Sequence, residues 1–332
     1  MRQIVMTGPS AFEIEDRAIP AIRDDQLLVR VKYCGVCHSE LQSYKTAGAG
    51  ALFGHEPMGI VEKAGKSVSG FKPGDRVTGT AQGSFADYVA MDARAAVRIP
   101  DHIADEDAVV EPLGCLVSAS SKMMPSMPGD SIAVVGCGYM GCGMISLFRL
   151  LGYGRIVAVD PRAFAREHAL KMGADEAYSP AELPDKYLNN WKTMGGDLLS
   201  GLVRGPIDVF GPGFDNVMEF SGTQEGLALA GDMVKAHGRL GIGGFHNDGM
   251  RTIDYKLWNF KAFTSVNCHE RRADFGIKCA NRAMELLASG RWDAMKGQVT
   301  HVFPMEDFAL ANTYMETHPD GFVKGLLRMD PA

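Results

Sequence analysis

Val134-Val135-Gly136-Cys137-Gly138-Tyr139-Met140-Gly141 reads as the end of a strand, a glycine turn and the start of a helix. Ser131 to Val135 is an apolar run short enough for a buried parallel strand, and Met140 to Leu151 follows as a helix. Ile156 to Asp160 is a second short strand and Ala163 to Met172 a second helix, so the stretch is a βαβ unit. Gly136, Gly138 and Gly141 form G-x-G-x-x-G. The first glycine permits the tight turn, the second lets backbone approach a pyrophosphate, and the third lets helix and strand pack closely. Asp160 falls 19 residues after Gly141, where a carboxylate accepts hydrogen bonds from adenosine ribose hydroxyls and repels a 2′-phosphate. This favours NAD over NADP, although Arg162 and Arg166 supply the charge a 2′-phosphate would need. The bland alternative is a glycine-rich turn in some other α/β protein.

Working outward, the chain before about residue 114 is β-rich. Leu27 to Tyr33, Gly59 to Gly65 and the turn-then-strand Lys72-Pro73-Gly74-Asp75-Arg76-Val77 carry the signal. After the βαβ unit, Asn216 to Phe220 and Gly238 to Ile242 fit further strands, and Phe275 to Ala288 a helix leading into a short C-terminal tail. Leu183 to Gly213, rich in Gly, Pro and Asn, reads as an irregular insertion.

At 332 residues two domains are expected. With 46% hydrophobic and 22% charged residues, the chain can build a core. A net charge of −6 argues against nucleic acid as a partner. No run approaches the roughly 18 apolar residues that span a bilayer, so no membrane partner is expected. Met1 to Gly8 shows neither a long apolar run nor a cleavage site, so no signal peptide is read. Seven cysteines form no disulfide-like framework, which fits a reducing cytoplasm.

Three segments carry borderline or soft metal ligands: Cys37-His38-Ser39-Glu40, Gly54-His55-Glu56-Pro57 and Val110-Glu111-Pro112. Thiolate, imidazole and carboxylate are all zinc ligands, and a catalytic site leaves one position open. Taken singly, Cys37 is more often a buried small hydrophobe and His55 a satisfied polar residue. The spacing Cys34-x-x-Cys37 is completed by no second pair, so Cys34 is read as packing.

In combination these motifs resemble the zinc-dependent medium-chain alcohol and polyol dehydrogenases, almost end to end. Gly35 to Glu40 looks like the family's first ligand segment, Gly54 to Gly59 its second, Pro73 to Val77 its strand entry and Gly136 to Gly141 its nucleotide loop. Glu111-Pro112-Leu113 resembles the sorbitol and threonine dehydrogenase branch. The resemblance implies an α/β protein with a GroES-like β-barrel catalytic domain, 1–115 and 265–332. A Rossmann NAD-binding domain with a doubly wound parallel sheet, 116–264, would be inserted in it. It implies one catalytic Zn2+ per chain held by Cys37, His55 and a carboxylate, with Glu56 and Glu111 both candidates. It further implies NAD as cofactor, a small polyhydroxylated substrate, and a homodimer or homotetramer.

By the same resemblance Ser39 accepts the substrate proton and Glu40 orients the zinc histidine. His38 and Lys324 contact the pyrophosphate, Tyr139 and Met140 open the nucleotide helix, and Gly243, Gly244 and Phe245 meet the carboxamide end of the nicotinamide. His269, Glu270 and Arg271 are polar candidates for the substrate. Two features depart from the family. Thr78 to Phe85 runs straight on where a structural-zinc lobe would stand, and Gln42 replaces a proton-shuttling histidine. Two other readings are a zinc-free quinone or enone reductase of the same fold, and a catalytically silent NAD-binding protein.

Overall fold

The computed structural model describes residues 1–194 and 211–329. Of the insertion expected over 183–213, the part from 195 to 210 therefore lies outside the described residues. The chain divides into two units, Met1–Val117 with Arg272–Ala332, and Ser118–Arg271.

The second unit is built on Ser131–Val135, in which Ile132 to Val135 are all buried. A short apolar strand covered on both faces is the mark of a parallel sheet. It pairs in parallel with Arg155–Val159 on one side and Phe214–Glu219 on the other. Among the described residues the sheet runs Glu176–Tyr178, Arg155–Val159, Ser131–Val135, Phe214–Glu219, Val234–Ile242, Thr264–Asn267, all parallel. The strand order reverses beside Ser131–Val135, which is where doubly wound sheets take ligands at their carboxyl ends. Helices Tyr139–Leu150, Ala163–Lys171, Gln224–Met233 and Tyr255–Lys261 link the strands. Thr223 and Asp254 cap the last two, their side chains accepting from the backbone N–H of Gly226 and Leu257.

In the first unit the spine is the ten-residue strand Gln26–Gly35, antiparallel to Pro57–Ala64, Tyr88–Asp92 and Lys324–Arg328. Arg76–Gly79, Ala96–Arg98 and Val299–Pro304 join this sheet, seven-stranded among the described residues, and Arg2–Gly8 pairs with Ala11–Asp16. Leu27, Val29, Val31, Phe85, Met91, Phe308 and Leu327 fill its core. The segment after Ala288 is not the short tail expected. It supplies strand Val299–Pro304, helix Phe308–Thr317 and strand Lys324–Arg328, with Leu327 registered opposite Cys34. All seven cysteines are free. Among the described residues no helix is long and apolar enough to cross a membrane.

One buried charge bears on the second unit's stability. Lys261 is wholly buried, and its Nζ donates to the carbonyls of Asn189 at 2.8 Å and Gly231 at 2.6 Å. Burial pulls its pKa from 10.5 down to about 7, partly opposed by Asp232. Between those two values the unfolded chain binds a proton that the folded chain lacks, so stability from this residue rises with pH. Urea unfolding of the wild type and Lys261→Met should diverge, the wild type gaining roughly 1 kcal/mol per pH unit relative to the variant between about pH 7 and 9. A pH-independent difference would mean that the buried lysine stays charged.

Candidate functional site

Cys37 ends the turn after strand Gln26–Gly35, and His55 and Glu56 immediately precede strand Pro57–Ala64. The two strands are paired, Cys34 opposite Pro57, so residues 18 apart in sequence are brought together. Donor atoms of Cys37, His55 and Glu56 all lie within 4.8 Å of one another. Glu40 fixes the imidazole: its Oε1 lies 3.0 Å from His55 Nδ1 and also accepts the Gly54 N–H at 2.9 Å. With Nδ1–H directed at Glu40, Nε2 is the nitrogen left facing the cluster and would ligate a metal that displaces its proton, the arrangement common in histidine metal ligands. Burial opposes charge on His55, but hydrogen bonds to Cys37 and Glu40 and the charge of Glu56 outweigh it, pushing its pKa up to about 12.

Glu56 is fully buried. Burial would raise its pKa, but Lys324 and His55 together hold it below the usual carboxylate value. Its Oε2 accepts from Lys324 Nζ at 2.6 Å, while Oε1 is buried without a hydrogen-bond partner, 3.9 Å from His55 Nε2. A soft sulfur, an oriented imidazole nitrogen and an unpartnered carboxylate oxygen fit a zinc ion. Gly35 makes room for this carboxylate, since a Cβ there would stand 1.8 Å from Glu56 Oε2. Glu111 opens helix Glu111–Lys122 outside the three-residue cluster, with Cys115 Sγ 3.5 Å from its Oε1. Burial and the charge of Glu56 push the Glu111 pKa up to about 7. Ser39 Oγ lies 3.1 Å from Cys37 Sγ, and Gln42 is exposed on the following helix.

Lys324, expected at the pyrophosphate, lies on strand Lys324–Arg328 beside Glu56. Its Nζ is buried, bonded to Glu56 and to the Val36 carbonyl at 3.0 Å, because Glu56 needs a countercharge. His38 is exposed, its ring stacked on His318 at 6.0 Å.

In the second unit Gly136 adopts φ +91, a conformation that favours glycine, and a Cβ on Gly141 would meet the Gly136 carbonyl at 1.9 Å. A Cβ on Gly138 would meet nothing within 4 Å, so the loop is open there, and Tyr139 and Met140 begin the helix. Backbone N–H groups at such a helix start suit a phosphate. Asp160, at the end of the second strand, is buried, with Oδ2 accepting the Cys137 N–H at 2.8 Å. Both its oxygens also face the Arg162 guanidinium, which with burial opposing holds its pKa down. The N–H groups of Gly243 and Gly244 both donate to the Glu219 carbonyl at 2.8 Å, leading to Phe245. His269 sits 3.2 Å from the Gly244 carbonyl, Glu270 3.5 Å from Lys122, and Arg271 is exposed.

A family model described as "Alcohol dehydrogenase GroES-like domain" matches residues 23–101, and one described as "Zinc-binding dehydrogenase" matches residues 140–273. The chain belongs to the zinc-type medium-chain dehydrogenase/reductase family. It is 25% identical to a probable D-xylulose reductase A of Aspergillus clavatus, covering 91% of this chain and 90% of that protein. It is 27% identical to a sorbitol dehydrogenase of Bacillus subtilis, covering 92% and 91%. An Escherichia coli oxidoreductase/dehydrogenase of unknown specificity superposes with a TM-score of 0.83 at 21% identity over 99% of both chains, which shows the shared fold.

Sequence reasoning passed over one polar hub of this medium-chain dehydrogenase. Glu219, fully buried, accepts from Ser221 Oγ at 2.6 Å, the Gly222 N–H at 2.7 Å and His246 Nε2 at 3.0 Å. Arg251 Nε donates to His246 Nδ1 at 2.9 Å, setting that tautomer. The hub braces the carboxyl ends of two sheet strands, and no local motif marks it. For the metal cluster, Gly35→Ala should drive the Glu56 carboxylate out of place and weaken zinc binding roughly 10- to 100-fold, the range for a disturbed support. Competition with a zinc chelator measures this, and wild-type affinity would show that Glu56 is not held as described.

Proposed function

We propose that this chain is a zinc-dependent dehydrogenase that uses NAD(H) to interconvert a secondary alcohol of a polyol, cyclitol or sugar-derived substrate with its ketone. The observation that carries the reading is Glu56 Oε1, buried and unpartnered beside the Cys37 thiol and an imidazole whose other nitrogen is fixed by Glu40. Cys37, His55 and Glu56 would hold zinc, with Glu111 as a second carboxylate close enough to feel the Glu56 charge. When bound, zinc supplies Lewis acidity that lowers the pKa of the substrate hydroxyl.

Ser39, two residues beyond Cys37, accepts that proton and passes it onward, while Glu40 keeps the imidazole in its ligating tautomer. Gln42 cannot titrate, so the proton leaves by another route. Gly136 to Gly141 cradle the pyrophosphate on backbone N–H groups, and Gly243, Gly244 and Phe245 meet the carboxamide end. The relatives' names, D-xylulose reductase and sorbitol dehydrogenase, support a polyhydroxylated substrate. A zinc-free reductase would have no use for the Cys37, His55 and Glu56 cluster.

Ser39→Ala should keep its zinc and lose roughly two to four decades of turnover, the range of a positioned acid–base group. Ser39→Thr retains the hydroxyl and substantial activity, and Gln42→Ala costs far less than Ser39→Ala. The assay is NAD reduction with a panel of sugar alcohols, with zinc content measured on the same samples. Near wild-type turnover by Ser39→Ala would overturn the relay.

A further inference from the structure

We infer that Arg162 sets the dinucleotide preference of this chain: it latches onto Asp160, weakens NAD(H) binding and admits NADP(H). The inference rests on the dinucleotide reading of the Gly136 to Gly141 loop given above.

An ionised carboxylate offers about four lone-pair positions. Asp160 has four donors on them. Oδ1 accepts the Arg162 N–H at 2.9 Å and Arg162 Nε at 3.1 Å. Oδ2 accepts the Cys137 N–H at 2.8 Å and Arg162 Nη2 at 3.1 Å. The Cys137 bond ties the strand end to the glycine loop, the Arg162 N–H bond closes the local turn, and both belong to the fold. The two guanidinium bonds occupy the positions that the 2′- and 3′-hydroxyls of an adenosine ribose would take. Those hydroxyls reach Asp160 only when the guanidinium leaves, and leaving breaks a bidentate ion pair whose carboxylate is 3% exposed. NAD(H) therefore binds against that contact.

A 2′-phosphate meets the opposite situation. A guanidinium has five N–H donors, and Arg162 uses two of them on Asp160. Its side chain is 32% exposed, so the group is reachable from solvent. Arg166 adds a second guanidinium over the same turn, its Nη1 donating to the carbonyls of Asp160 at 2.9 Å and Pro161 at 2.8 Å. Two cations thus stand at the end of the second strand, facing Asp160 and, on the Arg166 side, the exposed Glu182. The repulsion that Asp160 alone would exert on a phosphate is cancelled, and Arg162 has donors left to bind it.

Titration of purified protein with NADH and with NADPH, followed by nicotinamide fluorescence, tests this without turnover or zinc. Wild type should bind NADPH within about tenfold of NADH. Arg162→Ala should tighten NADH, weaken NADPH and shift their ratio about 10- to 100-fold toward NADH, as expected for loss of charge-assisted hydrogen bonds. Arg162→Lys, which keeps the charge without the fork, should fall between. The gain in NADH affinity should vanish when Asp160→Ala is added to Arg162→Ala. A wild type that prefers NADH more than a hundredfold would overturn the proposal. So would an Arg162→Ala variant in which both affinities change by the same factor, the signature of a merely structural arginine. A protein that binds neither nucleotide would overturn the dinucleotide reading itself.

Discussion

A carboxylate taken wholly out of water is costly unless charge and hydrogen bonds meet it. Glu56 is in that position, and the first unit is arranged around meeting it. Its countercharge, Lys324, lies 268 residues away on a strand that pairs with Gln26–Gly35. Removing one partner of such a buried pair typically costs ~3–5 kcal/mol, so the return of the chain's last strand to the first sheet is tied to this contact. Gly35 supplies the space, and Glu40 orients the neighbouring imidazole. One carboxylate oxygen is left over beside a thiol and an imidazole. A divalent cation would satisfy that oxygen, which makes the electrostatics of the fold and the chemistry of the candidate site one problem.

The candidate metal donors all belong to the first unit and the glycine loop to the second, each resting on its own hydrophobic core. In the second unit the corresponding constraint is at the end of the second strand, where Asp160 joins strand, glycine loop and Arg162. Both acids are held by the fold, each beside a candidate ligand site. The difference lies in what remains: Glu56 keeps an oxygen without a partner, whereas Asp160 has donors at every lone-pair position.

Ser131–Val135 and Tyr139–Leu150 were legible because a doubly covered strand is a short apolar run and the turn between them needs glycine at fixed offsets. Cys37, His55 and Glu56 were legible as motifs, since paired strands bring two short turns together. Val299–Pro304 and Lys324–Arg328 were not, because each is five or six residues long and gains its stability from partners far off in sequence. The same reason hid the Lys324–Glu56 pair and the hub of Glu219, His246 and Arg251. Arg162 was visible as a charge near Asp160. That it fills the carboxylate's lone pairs is a matter of local geometry that spacing does not encode.

The central claim is that one zinc ion is held by one sulfur and a mixed nitrogen–oxygen set from the first unit. X-ray absorption at the zinc edge on the purified protein tests it most directly. The account predicts about one zinc per chain, with a single sulfur neighbour near 2.3 Å and the remaining neighbours nitrogen or oxygen near 2.0–2.1 Å. A sulfur-rich shell, or carefully handled protein with no bound zinc, would contradict it.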